Sequence, residues 1–370
     1  MKIDELYTPA ILLDLDALEN NIRRYAEEAA KYGKQIWPML KTHKSLEIAE
    51  MQVKAGATGF LCGTLDECEF LADHGFDNLM YAYPVATKVS IDRVLKLSAK
   101  CNFIIRIDDL DGAAALDKAA GEAGQKVKYT LIVDSGLHRF GIVPAKVGEF
   151  AKKMEAFRNL AFCGISSHSG HVYGVSSKAG VPECAKQECD ALHEAIASLK
   201  AAGFTPKLVT TGSTPTFWQS VADPEIGIFH PGNYVFNDAI QLSTETATVE
   251  QCALYILASV ISHPREDVYI CDAGTKCFGL DQGAHGNSSI KGYGHVIGHP
   301  ELEVDGLSEE VGKLHVHGTT DIKVGDKICI IPNHSCSSAN LTSYLIGIRN
   351  DEVDHLITVD IRGNSTRKNA

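Results

Sequence analysis

The sequence predicts a (β/α)8 barrel followed by a mainly β second domain, and three observations predict it. Between residues 35 and 229, eight short apolar runs alternate with amphipathic helical stretches, the rhythm of parallel strands joined by helical crossovers. Past Leu242 the rhythm changes: runs 248–261, 268–273, 323–331 and 343–348 follow one another through turns, Gly325-Asp326 marking one, with no long helix between them. The chain of 370 residues is too long for one ordinary domain, while the first section has the usual size of a barrel. The expected division is 1–242 and 243–370. A doubly wound sheet is the competing arrangement for the first part.

The barrel strands are expected at 35–40, 59–62, 78–81, 103–107, 128–133, 162–167, 207–210 and 225–229, with helices at 65–74, 91–99, 112–123, 147–157 and 184–201 among the crossovers. Ahead of them, Ala10-Ile11-Leu12-Leu13 reads as a strand. A helix follows to about Tyr32, capped by Asp14 or Asp16, whose charges suit its N-terminal dipole.

Composition narrows the function. Hydrophobic residues make up 45% and charged residues 22%, ordinary for a globular protein with a sizeable core. Lys+Arg 35 against Asp+Glu 47 gives a net charge of -12, which argues against nucleic acid or an anionic membrane as the main partner; any anion site must be local. The start Met1-Lys2-Ile3-Asp4-Glu5-Leu6 lacks a basic segment leading into an apolar one, and no run approaches a membrane span, so a cytoplasmic protein is expected. The eleven cysteines form no Cys-x-x-Cys pair, and Cys62, Cys101, Cys163 and Cys271 sit in apolar runs as reduced core thiols would.

The candidate chemistry gathers at the expected carboxyl ends of strands, where barrel enzymes act. Trp37-Pro38-Met39-Leu40-Lys41-Thr42-His43-Lys44 puts Lys41 at the end of an apolar run, where a partly desolvated amine becomes a usable nucleophile and a Schiff-base lysine would belong; a plain surface lysine at a strand mouth is the alternative. The loops after the seventh and eighth strands, Thr211-Gly212-Ser213-Thr214-Pro215-Thr216 and His230-Pro231-Gly232-Asn233-Tyr234, offer glycines and hydroxyls that let backbone N–H groups approach a phosphate. Val133-Asp134-Ser135-Gly136-Leu137-His138-Arg139 brings an arginine to that rim, and Ser167-His168-Ser169-Gly170-His171-Val172-Tyr173 brings imidazoles and a phenol. A phosphorylated carbonyl compound able to form an imine matches this set, and pyridoxal 5'-phosphate is one. In the second domain, Pro332-Asn333-His334-Ser335-Cys336 follows an apolar strand. On an extended segment, His334 and Cys336 would share a face and could hold one ion; nitrogen and thiolate favour zinc over manganese.

These motifs resemble the D-serine dehydratase and D-threonine aldolase family, whose barrel is similar to that of alanine racemase. The resemblance runs from Thr8-Pro9 to Val359-Asp360-Ile361-Arg362-Gly363. It implies that Lys41 carries pyridoxal phosphate and that Arg139 contacts a ring substituent. It further implies that the loops of Gly212-Ser213-Thr214 and Gly232-Asn233-Tyr234 bind the cofactor phosphate, and that His334 and Cys336 hold the metal; Thr211, His168 and Tyr173, on the same rim, are expected to join the cofactor site. It also implies a homodimer acting on a D-3-hydroxy amino acid. Trp37 stands where the family more often has arginine, Met39 where it often has histidine, and Val311 where histidine is usual. The cysteine form of the metal motif leans towards dehydration of D-serine or a relative. Retro-aldol cleavage is the alternative, followed by racemization and a non-catalytic cofactor carrier.

Overall fold

The chain builds two sheets, and the computed structural model describes residues 1–283 and 287–362 of it; Gly363, the end of the motif quoted above, lies outside them. In chain order the strands are β1 (Ala10–Asp14), β2 (Gln35–Ile36), β3 (Phe60–Cys62), β4 (Asn78–Tyr81), β5 (Asn102–Ile107), β6 (Val127–Ile132), β7 (Leu160–Ser166), β8 (Leu208–Thr211) and β9 (Ile228–Phe229). They continue as β10 (Leu254–Arg265), β11 (Val268–Cys271), β12 (Gly294–Val296), β13 (Leu302–Leu307), β14 (Gly312–Val316), β15 (Lys327–Pro332), β16 (Tyr344–Arg349) and β17 (Glu352–Thr358).

Strands β2 to β9 form an eight-stranded parallel sheet in the order β2-β9-β8-β7-β6-β5-β4-β3. A parallel bridge between Met39 and Leu61 joins its two ends, so the sheet closes into a barrel. Its interior is filled by Trp37, Leu61, Met80, Ala82, Ile104 and Ile228, bulky side chains contributed by successive strands as close packing inside a small barrel requires. The barrel is therefore a solid support with its working face at one end.

β1 does not join that barrel. It pairs antiparallel with β10, Ala10 opposite Leu257, and parallel with β16, Leu12 opposite Ile346. The second sheet has nine strands in the order β11-β14-β13-β12-β15-β10-β1-β16-β17, and an extra β11–β10 pairing closes six of them into a ring. Both ends of the sequence thus build the second layer. Between β1 and the barrel runs the helix Leu15–Lys31, started by the Asp14 carboxylate accepting from Ala17 N–H at 2.9 Å. It buries Leu15, Leu18, Ile22, Tyr25 and Ala29, a stripe at helical spacing.

Candidate active site

The paired part of β2 is shorter than the expected 35–40, for a backbone reason. Trp37 and Met39 still donate to Phe229 O and Pro231 O, but Pro38 has no N–H, and His43 and Lys44 N–H turn back to Leu40 O at 3.2 and 3.0 Å. Lys41 therefore sits in the 3-10 turn Leu40–Thr42 just past the strand. Gly63 makes room for it: a Cβ there would lie 3.1 Å from Lys41 Cβ. Beneath the turn, Lys44 Nζ lies 3.5 Å from the buried Glu67, which also accepts from Gly63 N–H at 2.6 Å. Burial raises the pKa of Glu67, and Lys44, Gly63 and Lys41 offset part of that cost.

Lys41 lines a cavity of about 260 Å³ at the carboxyl end of the barrel, together with Arg139, His168, Tyr173, Gly212, Ser213, Gly232, Asn233, His334 and Cys336. At Gly212, φ is +141° and a Cβ would meet His230 N at 2.9 Å; at Gly232 it would meet Met39 Cβ and Thr42 Oγ1 at 3.1 Å. Only glycine fits Gly212's conformation, and both leave backbone open to a ligand. His168 donates Nδ1–H to Gly212 O at 2.9 Å, and its pKa is pulled down to about 3, by burial first and then by Lys41, Arg139 and Arg106. Its imidazole is neutral at any ordinary pH. Tyr173 OH lies 3.4 Å from Thr214 N, and burial pushes the phenol's pKa upward.

Three expected cofactor contacts point elsewhere. Thr211 Oγ1 donates to Glu188 at 2.5 Å, Thr214 Oγ1 accepts from Tyr234 N–H at 3.0 Å, and Tyr234 OH accepts from Gln52 at 2.9 Å inside an aromatic cluster with Tyr25. Their side chains hold the loops in place and do not line the cavity.

The candidate metal ligands His334 and Cys336 meet by a different route from the extended segment expected. β15 ends at Pro332, His334 is the extended residue before the helix Ser335–Leu341, and Cys336 lies in that helix's first turn. His334 Nδ1 is 3.1 Å from Asp281 Oδ1, and Cys336 Sγ is 3.4 Å from Thr42 Oγ1 and 3.6 Å from Asn233 Nδ2. Burial by itself would raise the Cys336 thiol, but the charge and hydrogen bond of His334, with Lys41 and Thr42, outweigh it and leave the pKa lowered. Burial would likewise lower His334; Cys336, Asp281 and Asp238 reverse this and raise it well above its usual value. The two side chains thus favour a charged pair; the thiolate is the form that binds metal, whereas the imidazolium has to release its proton to do so.

Several residues at the site were not anticipated. Arg106 on β5 is 4% exposed, lines the cavity, and has an Nη2 with no hydrogen-bond partner among the described residues. Burial brings its pKa down to about 10, with Tyr83 opposing and Arg139 adding to the fall. Its signal was available: an arginine inside Phe103-Ile104-Ile105-Arg106-Ile107 has to face a polar ligand or a partner. His230, the residue before Pro231, donates Nδ1–H to Trp37 O at 2.8 Å and leaves a buried Nε2 with no partner among the described residues. Asp238 accepts from Asn233 at 2.6 Å and from Ser335 N–H at 3.0 Å, tying the loop after β9 to the segment of His334 and Cys336. Asp281 lies far from either motif in sequence. Of the three departures, Met39 lines the cavity, Trp37 fills the barrel below it, and Val311 does not line it.

Two family models match the chain. Residues 13–239 fit the family model of the alanine racemase N-terminal domain, and residues 253–348 fit a putative serine dehydratase domain. The chain is 29% identical to 3-hydroxy-D-aspartate aldolase of Paracoccus denitrificans (strain Pd 1222), covering 98% of this chain and 94% of the relative. It is also 29% identical to D-serine dehydratase of Dictyostelium discoideum, over 94% of this chain and 95% of that one. The solved D-threo-3-hydroxyaspartate dehydratase from Delftia sp. HT23 superposes with a TM-score of 0.90 at 25% identity, covering 98% of this chain and 99% of the other. The chain thus belongs to the alanine racemase N-terminal domain family, in its D-serine dehydratase and D-threonine aldolase branch.

Proposed function

We propose that the protein is a pyridoxal phosphate- and divalent metal-dependent lyase that dehydrates a D-3-hydroxy amino acid, D-serine or a relative, to a 2-oxo acid and ammonia. The observation that carries this is the shared cavity: Lys41 from the barrel and the His334–Cys336 pair from the second domain line one space. A functional boundary at 242/243 expresses the same division, with cofactor on one side and metal on the other.

The residues fit both groups. Lys41 offers an amine, Gly212, Ser213 and Gly232 offer backbone and hydroxyl to a phosphate, and Arg139 and Arg106 supply cations beside it. His334 and Cys336 offer the nitrogen and thiolate that zinc prefers, and two protein ligands leave positions free for substrate. When bound, the ring draws electron density from Cα and the ion polarises the β-hydroxyl.

The chain's own groups do the rest. Lys41 is the residue that would hold the cofactor, and its amine, at the mouth of the barrel, is the group that would serve as the base for the proton on Cα. Neutral His168 can accept a hydrogen bond at Nε2 without adding charge. Asp281 holds the His334 ring through Nδ1, an orienting contact of the kind that tunes metal ligands. Product analysis over a panel of D-3-hydroxy amino acids tests this reading: a 2-oxo acid with ammonia is expected, and the absence of any lyase product with metal and cofactor supplied would overturn it.

Retro-aldol cleavage to glycine and an aldehyde is the second reading, favoured by the similarity to 3-hydroxy-D-aspartate aldolase; glycine in the same assay would decide for it. We place the enzyme in the cytoplasm as a homodimer whose second subunit covers the mouth of the cavity and excludes water. A monomeric mass in solution at full activity would remove the dimer.

A further inference from the structure

Under the loops after β7 and β8 lies a carboxylate that the mechanism above does not use. Glu188 belongs to the helix Gly180–Ala201 and falls on its buried stripe with Val181, Cys184, Ala185, Leu192, Ala195 and Leu199. The residue is 0% exposed. Its Oε1 lies 2.8 Å from Ser169 Oγ and 2.5 Å from Thr211 Oγ1, and its Oε2 lies 3.2 Å from Ser220 Oγ. The hydroxyls continue: Ser169 Oγ is 3.3 Å from Thr216 Oγ1 and 3.4 Å from Ser213 Oγ, and Ser213 and Thr216 are 2.9 Å apart. Ser213 reaches the cavity. A carboxyl group is thereby wired through hydroxyls to the phosphate loop.

The groups facing Glu188 are hydroxyls from the segments after β7 and β8 and from the short helix Phe217–Ser220, and on its own helix the thiols of Cys184 and Cys189. Among the described residues no lysine, arginine or histidine pairs with it. Each hydroxyl has one hydrogen to give, so the protonation of Glu188 sets the direction of the chain. An ionised Glu188 draws the hydrogens of Ser169, Thr211 and Ser220 to itself, and those of Thr216 and Ser213 follow inward, so Ser213 shows lone pairs to the cavity. A neutral Glu188 donates to Ser169, while Thr211 still donates to the carboxyl, and the hydrogens released run outward through Thr216 until Ser213 donates into the cavity. Only the second direction suits an anion.

We propose that Glu188 is a positioning residue for the cofactor phosphate, carried as the neutral acid, whose proton aims the Ser169–Thr216–Ser213 hydroxyls at the phosphate. The inference rests on the pyridoxal phosphate reading. Burial favours the same form, raising the Glu188 pKa against the pull of its hydroxyl donors. The sign follows: a raised acid pKa keeps the proton, and the phosphate contact, at low pH, and loses both as pH rises through that value.

The test uses the full-length apoenzyme, wild type and Glu188→Gln, titrated calorimetrically with pyridoxal phosphate and with pyridoxal across pH. Glutamine keeps one acceptor and one donor permanently, so Glu188→Gln should match wild type at low pH. It should hold its affinity where wild type falls about tenfold per pH unit above the Glu188 pKa. Pyridoxal, lacking phosphate, should show no such divergence. The infrared difference between the two apoenzymes should contain one protonated carboxyl band. A Glu188→Gln protein that binds pyridoxal phosphate more than tenfold weaker at low pH, with an unchanged pH slope, would overturn the inference while leaving the cofactor reading intact. An ionised carboxylate band would do the same. Failure of both proteins to bind pyridoxal phosphate at any pH would overturn the cofactor reading and this inference with it.

Discussion

The two halves of the cavity handle charge in opposite ways. On the β8–β9 side, Gly212, Ser213 and Gly232 present backbone and hydroxyls, the nearby imidazoles of His168 and His230 are held neutral with pKa values pulled down to about 3 by burial, and Glu188 is buried among hydroxyls. On the second-domain side, His334 and Cys336 drive each other towards their charged forms, with Asp281 and Asp238 beside them. A phosphate brings its own charge and needs donors; a metal needs a thiolate and a neutral imidazole, so the ion displaces the proton that His334 holds against Cys336. The chain supplies donors on one side and a thiolate on the other, and Lys41 and Thr42, on one turn, touch both halves.

Substitutions can break the contrast one side at a time. The largest effect is expected at Cys336→Ala, which removes the thiolate from the metal: lyase activity should fall by about 10³-fold, as losing several kcal/mol of charge stabilisation requires, while the absorbance of bound cofactor remains. Cys336→Asp should restore part of that loss with manganese in place of zinc, measured as a change in metal preference. Asp281→Asn should weaken metal binding by about 10- to 100-fold through His334 alone, read by competition with a chelator, with cofactor affinity unchanged.

Arg106→Met tests the floor between the halves. Relieving a buried guanidinium whose Nη2 has no partner among the described residues should stabilise the apoenzyme by about 1–3 kcal/mol in denaturant, and cofactor affinity should fall. Tyr234→Phe is expected to do least: about 0.5–1.5 kcal/mol of stability for the lost hydrogen bond with Gln52, and no change in activity, because its side chain does not line the cavity.

The barrel was legible because its strands are buried on both faces and read as short apolar runs, and every expected run overlaps an observed strand. Lys41, Arg139, His168, Tyr173, Gly212, Ser213, Gly232, Asn233, His334 and Cys336 were legible as motifs, and they share one cavity. Side-chain direction was not legible. Thr211, Thr214 and Tyr234 belong to the same loops as Gly212 and Gly232, and only the packing of Tyr25, Gln52 and Glu188 behind them turns them inward. Nor was the placement of β1, whose run looks like any first barrel strand until β10 and β16 claim it. Arg106 and Glu188 carried a signal, a polar residue on an apolar stripe, but Asp281 acts at a distance in sequence and carried none.

The central claim is that cofactor and metal serve one reaction from separate halves of one site, and removing the metal alone tests it most directly. The cofactor-loaded enzyme would be chelated and shown metal-free by elemental analysis, then assayed on D-serine and related D-3-hydroxy amino acids while the cofactor's visible absorbance is followed. The account predicts that lyase activity is lost, that the absorbance on Lys41 persists, and that zinc restores activity. Full activity in the metal-free preparation would contradict it.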